Sequence, residues 1–221
     1  MNHINIAVVD DQNLFRQSLA LLINSVENFS LVAECSSGKA FIDTLRTFNV
    51  AIDIAIIDMD MPEMNGIELN KYLQSNHPDI KVIILTVHSN EFLISQMITE
   101  GASSYLVKNC DKDELLLTIN SVYKTGFYFN KQIVKSLRSS AKNRPALQDL
   151  SGAPITLSKR ESQVLKLLCK EYNNVEIAAE LYISVRTVEG HRVGLINKIK
   201  CRTTAGLVLF AIKYQLLDAS F

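Results

Sequence analysis

Asp53-Ile-Ala-Ile-Ile-Asp58-Met-Asp60-Met61-Pro62 is an apolar run that closes on carboxylates and a proline. A carboxylate at the C-terminal tip of a buried strand is costly unless it meets a cation, a hydrogen bond or a reaction. In an open α/β sheet that tip is where ligands bind. A second apolar run, Ile4-Asn-Ile-Ala-Val-Val9, ends in the acidic pair Asp10-Asp11. Carboxylates gathered at one sheet edge repel each other, and a bound divalent metal is the usual remedy. Asp58 is therefore the candidate reactive group of the chain.

Strand-like runs at 4–9, 31–34, 54–57, 81–86 and 104–107 alternate with helical patterns at 14–26, 39–48, 67–76, 91–100 and 112–125. Five such alternations with fully apolar strands predict an α/β domain built on a five-stranded, parallel, doubly wound sheet. Gly66, Gly101 and Gly126 fall where helices or turns should stop. Residues 129–154 are polar, basic and poor in large apolar side chains, which reads as a linker.

The remainder, 155–221, is all helical. Ser158-Lys-Arg-Glu161 has the spacing of a capping box and opens a helix whose apolar face is Val164, Leu165, Leu167 and Leu168. Asn174 precedes a short second helix, Ser184 caps a third, and a fourth is expected over 203–217. Two short helices joined by a tight turn, the second rich in Arg, His and Thr, predict a helix-turn-helix. The expected division is 1–128, 129–154 and 155–221, the last a four-helix module.

A length of 221 residues suits two domains, and 48% apolar with 21% charged residues argues against disorder outside the linker. The formal net charge is zero but unevenly spread. Residues 1–130 hold 8 basic against 16 acidic side chains, while 131–221 hold 15 against 7, so the halves carry −8 and +8. That asymmetry points to an acidic module joined to one with an anionic partner, nucleic acid first. The plainer alternative is two domains of opposite sign that dock on each other. Cys35, Cys110, Cys169 and Cys201 show no C-x-x-C spacing and read as reduced, structural thiols. The apolar runs are too short to span a bilayer, and no signal peptide is expected. The protein is expected in the cytoplasm, with no membrane partner.

Residues 1 to about 125 resemble the receiver domain of bacterial two-component response regulators. The carriers are Asp10-Asp11 after the first strand, Asp58 with Met61-Pro62 after the third, Thr86 after the fourth, and Tyr105-Leu-Val-Lys108 at the fifth. The resemblance implies that Asp58 accepts a phosphoryl group from a histidine kinase. It implies Mg²⁺ held by Asp10, Asp11, Asp58 and the main chain of Asp60, and a hard cation with oxygen ligands suits that set. It makes Lys108 the cation for the phosphoryl oxygens and Thr86 with Tyr105 a conformational switch. Two departures stand out: Asp60 lies where relatives more often have an uncharged side chain, and Asn109 where many carry proline. His88, two residues after Thr86, is placed near the mouth of the site.

Residues from about 155 resemble the LuxR-type helix-turn-helix of the NarL/FixJ regulators. The carriers are Leu157-Ser-Lys-Arg-Glu161, Asn174-Val-Glu-Ile-Ala178, Ile183-Ser-Val-Arg-Thr-Val-Glu-Gly-His-Arg192 and Asn197-Lys198-Ile199. A helix opened by Ser184 would enter the major groove of double-stranded promoter DNA. Arg186, Thr187, Arg192 and Lys198 suit phosphate contacts. Glu189, Gly190 and Val193, with His191 close by, face base edges by the family pattern. A homodimer is implied by the small site of one module, with Val208 and Ile212 on the fourth helix as the candidate contacts.

Two other classes compete. Asp58-Met-Asp60 also resembles the D-x-D of haloacid-dehalogenase-type phosphatases, but that motif belongs on a first strand with a later acidic pair. A receiver that binds partners without being phosphorylated is the other, and the complete acidic site argues against it.

Overall fold

The computed structural model describes residues 3–47, 51–130, 133–134, 147–149, 154–214 and 216. They gather into two compact units. One is Met1–Ser89 with Ser104–Tyr123, and the other is Asn90–Ser103 with Lys124–Phe221.

The first unit is a five-stranded parallel sheet in the order β2-β1-β3-β4-β5, with β1 Ile4–Val9, β2 Phe29–Cys35, β3 Ile54–Asp58, β4 Lys81–Thr86 and β5 Ser104–Val107. The helices that connect the strands are α1 Asn13–Asn24, α2 Gly38–Thr47, α3 Gly66–Asn76 and α4 Glu91–Thr99, and α5 Lys112–Thr125 follows β5. Among these, α4 is grouped with the second unit. The central strands are apolar on both faces because helices cover both, and Ile6, Ile54, Ile57, Ile83 and Ile84 are fully buried. The order reverses between β1 and β3, and this is the crevice where an open sheet places its ligands.

Register carries the acidic residues to that crevice. Val9 pairs with Ile57, so Asp10 and Asp58 leave neighbouring strands side by side. Asp58 pairs with Leu85 and Thr86 with Val107, which sets Thr86 and Lys108 one step further along the same edge. Asp53 serves the sheet instead: its Oδ2 accepts from the backbone N–H of Asn5 at 2.8 Å.

Gly101 and Gly126 follow α4 and α5 with φ of 101° and 92°, the left-handed conformation expected after a helix. Gly66 differs from its expected stop role. It opens α3 behind Asn65, whose side chain forms a capping box with Glu68. What Gly66 provides is room, because a Cβ there would lie 2.4 Å from the carbonyl oxygen of Asp58.

The second unit holds the C-terminal helices α6 Lys159–Cys169, α7 Asn174–Leu181, α8 Val185–Ile199 and α9 Thr204–Lys213. Ser158 and Glu161 form the expected capping box, and Asn173, one residue earlier than anticipated, caps α7 with Glu176. Ser184 caps α8 by accepting from the N–H of Thr187. Val164, Leu165, Ile177, Val188, Leu195 and Ile199 are buried together with most of α9. Of the segment read as a linker, 131–132, 135–146 and 150–153 lie outside the described residues. Leu147 accepts from the N–H of Ile155 at 2.9 Å, and buried Asp149 pairs with Lys200 at 2.8 Å. All four cysteines are free thiols.

Candidate functional site

The crevice between β1 and β3 holds two buried carboxylates and one buried cation. Asp10 and Asp58 are 2% and 3% exposed, and Asp11 beside them is open to solvent. Carboxylate oxygens of the three lie within 4.8 Å of one another. Lys108 Nζ stands 2.9 Å from Asp10 Oδ2 and 3.0 Å from Asp58 Oδ2. Its backbone N–H is tied to the Thr86 carbonyl at 2.7 Å, so β4 sets where this side chain starts. The Lys108–Asn109 peptide is trans, as are all described peptide bonds.

Two buried carboxylates share one ammonium, so the cluster retains an unbalanced negative charge. Burial pushes the Asp58 carboxyl above the usual range, with Lys108 working against that push. Burial works the other way on Lys108, but Asp10 and Asp58 carry its ammonium above the ordinary lysine value. Among the described residues, Lys108 is the one cation that reaches Asp58 Oδ2, at 3.0 Å, and it is shared with Asp10. Three carboxylates within 4.8 Å with a single shared ammonium fit a hard divalent cation.

Thr86 is fully buried and its Oγ accepts from the N–H of His88 at 3.2 Å. The buried Tyr105 hydroxyl donates to the carbonyl of the same His88 at 2.9 Å. Burial, aided by the charge of Asp60, pushes the Tyr105 phenol up to about 12. The imidazole of His88 reaches Asp60 Oδ2 at 2.9 Å. Sequence placed these residues near one another, but no motif revealed that His88 links three of them. Arg16 also enters the site unannounced: its guanidinium donates to the Asp10 carbonyl at 2.7 Å and pairs with Glu34 at 3.2 Å.

On α8, Arg186, Thr187, Glu189, Gly190 and Val193 are exposed, and His191 is half-buried beside them. The spacing 186, 189–190, 193 puts Arg186, Glu189, Gly190 and Val193 on one helical face. Two cations expected on that surface are turned inward. Arg192 donates to Asn174 Oδ1 and Thr204 Oγ1, both at 2.5 Å, and so joins α7, α8 and the start of α9. Lys198 Nζ contacts both carboxylate oxygens of Glu161 at 2.7 Å. Val208 and Ile212, expected to meet a second copy, are only 2% and 3% exposed; this chain's own packing uses them as core.

Residues 6–120 match the response regulator receiver domain, and residues 155–211 match the luxR family of bacterial regulatory proteins. The chain is a luxR-type response regulator. The oxygen regulatory protein NreC of Staphylococcus haemolyticus is similar at 31% identity, over 96% of this chain and 99% of the relative. The transcriptional regulatory protein DegU of Brevibacillus brevis is 28% identical, over 96% and 94% respectively. RcsB of Salmonella enterica serovar Typhimurium, solved on a promoter, has the same fold with a TM-score of 0.56 at 21% identity, over 96% of this chain and 100% of that one. This response regulator thus joins a receiver to a DNA-binding, transcription-regulating module. No helix among its described residues is long and apolar enough to cross a membrane.

Proposed function

We propose that Asp58 accepts a phosphoryl group from the phosphohistidine of a partner kinase and that the modified receiver controls promoter binding. The observation that carries this is the Lys108 ammonium poised between Asp10 and Asp58 at the strand tips. A carboxylate oxygen of Asp58 forms the bond to phosphorus while the bond from phosphorus to the donor imidazole breaks. The electron pair of that bond stays on the leaving nitrogen. Lys108 then exchanges a carboxylate for a phosphoryl oxygen and balances its charge. Asp10, Asp11, Asp58 and the Asp60 main-chain carbonyl would hold Mg²⁺, which when bound would supply positive charge for the transferring oxygens.

The Thr86 hydroxyl proton is directed to a phosphoryl oxygen. Its movement draws the N–H of His88, and the His88 carbonyl carries Tyr105 with it, because both links run through one residue. Slow return of the phosphoryl group to water is the only turnover assigned; no external substrate is processed.

In this reading 1–128 is the receiver, 129–154 a linker and 155–221 the DNA-binding module. Arg186 and Thr187 meet phosphates, and Glu189, Gly190, His191 and Val193 meet base edges in the major groove. The intramolecular engagements of Arg192 and Lys198 support a role in shaping the module before any phosphate contact. Binding to two half-sites calls for a homodimer, whose contacts are not assigned to the buried Val208 and Ile212. A kinase partner, promoter DNA and free thiols together favour the cytoplasm.

The test is incubation with acetyl phosphate and Mg²⁺ followed by intact mass. Wild type gains the mass of one phosphoryl group, while Asp58→Ala and an EDTA-treated wild type do not. An unmodified wild type would sink the proposal.

A further inference from the structure

We propose that Phe15 is a positioning residue for Lys108: its ring face holds the ammonium at the phosphoacceptor site. This rests on the reading of Asp58 above and extends it to a side chain that bears no chemistry of its own. Lys108 Nζ lies 4.6 Å from the centroid of the Phe15 ring while it contacts Asp10 and Asp58 at 2.9 Å and 3.0 Å. The Lys108 side chain is 8% exposed, so water does little to screen any of these contacts.

Phe15 is placed for this by the first turn of α1. That turn leaves the tip of β1 at once, and it is locked there by Arg16, which donates to the carbonyl of Asp10 at 2.7 Å. The Phe15 ring is only half-buried, whereas the α1 residues that build the core, Leu19 and Ile23, are buried. Packing alone therefore does not account for it.

A lysine ammonium is a mobile point charge on a four-carbon stem. An aromatic face attracts such a charge without supplying an oxygen acceptor. It can hold Lys108 in the crevice without competing with the phosphoryl oxygens that the ammonium must meet. A carboxylate in the same place would keep the cation for itself.

The full-length chain tests this with acetyl phosphate and saturating MgCl₂, the rate of Asp58 phosphorylation being read by intact mass. Phe15→Leu, which keeps apolar bulk but removes the ring, is expected to slow phosphorylation by roughly three- to tenfold. Phe15→Tyr restores a ring face and is expected to recover most of that loss. In a Lys108→Met background, Phe15→Leu should change the rate by less than about twofold, since the cation it would position is gone. A Phe15→Leu rate equal to wild type overturns the inference, as does an equal loss with and without Lys108. Wild type that takes no phosphoryl group overturns both this inference and the reading it rests on, whereas phosphorylated wild type with either of those Phe15 outcomes overturns this inference alone.

Discussion

The imidazole Nε2 of His88 lies 2.9 Å from Asp60 Oδ2 and so joins the loop after β4 to the loop after β3 across the mouth of the acidic crevice. Both side chains are about half exposed, at 48% and 55%, so the pair contributes little to global stability. Its effect is local. The links of His88 to Thr86 and Tyr105 run through its backbone, and a substitution of the ring leaves them in place.

His88→Ala is therefore expected to open the mouth without dismantling the switch. Phosphorylation by acetyl phosphate and loss of the phosphoryl group should both accelerate, by roughly two- to fivefold. Phosphate-affinity electrophoresis over time checks both rates. Unchanged kinetics with an unchanged Tm would show that the His88–Asp60 contact does not limit access to the crevice.

Asp58 has a second signature in stability. Burial raises its folded carboxyl value above that of the unfolded chain. Below about pH 4 the carboxyl is protonated in both states and costs nothing. As pH rises from there through the raised folded value, the unfolded state ionises first and stability falls; above that value the penalty is complete. Metal-free Asp58→Asn should accordingly melt a few degrees above wild type at pH 7, with the gain shrinking toward pH 4. A melting difference independent of pH would contradict this assignment of the cost.

At Gly66, a Cβ would meet backbone on two sides, 2.4 Å from the Asp58 carbonyl oxygen and 2.8 Å from the Met59 Cα. Neither atom is the end of a flexible side chain. Gly66→Ala should cost about 3 kcal/mol or more and reduce phosphorylation, because α3 must move off the tip of β3 that carries Asp58. Chemical denaturation and the acetyl phosphate assay together test it; a wild-type profile in both would show that this tip yields freely.

The DNA-binding module offers a contrast between two cations. Arg186 is exposed on α8, whereas Lys198 is held by Glu161, whose carboxyl lies below its usual range: burial opposes the shift, but Lys198 and Ser158 override it. Arg186→Ala should weaken promoter binding and lower the salt slope by about one. Lys198→Ala should instead cost stability, about 1 kcal/mol near neutral pH. That contribution is present above the unfolded glutamate value, about 4.3, and is lost as pH falls through the lowered folded one. Binding titrations at several salt concentrations, paired with thermal melts, separate the two. Equal salt-slope losses would show that Lys198 leaves Glu161 to meet DNA.

The alternation of apolar runs with helical patterns determined the five-stranded parallel sheet, since strands buried on both faces must be apolar throughout. The caps at Ser158 and Ser184 were equally legible, because a capping hydroxyl satisfies N–H groups two or three residues away. So were the carboxylates Asp10, Asp11 and Asp58 at strand tips, whereas Thr86 and Lys108 came only with the resemblance to receiver domains. Contacts between distant elements were not legible. The meeting of His88 with Asp60, the grip of Arg16 on Asp10 and the inward turn of Arg192 depend on how loops and helices pack, and no local spacing encodes that. Gly66 and α9 show the same limit from the other side. A glycine can stop a helix or make room for a neighbour, and an apolar helix can be core or interface; only the packed structure selects between them.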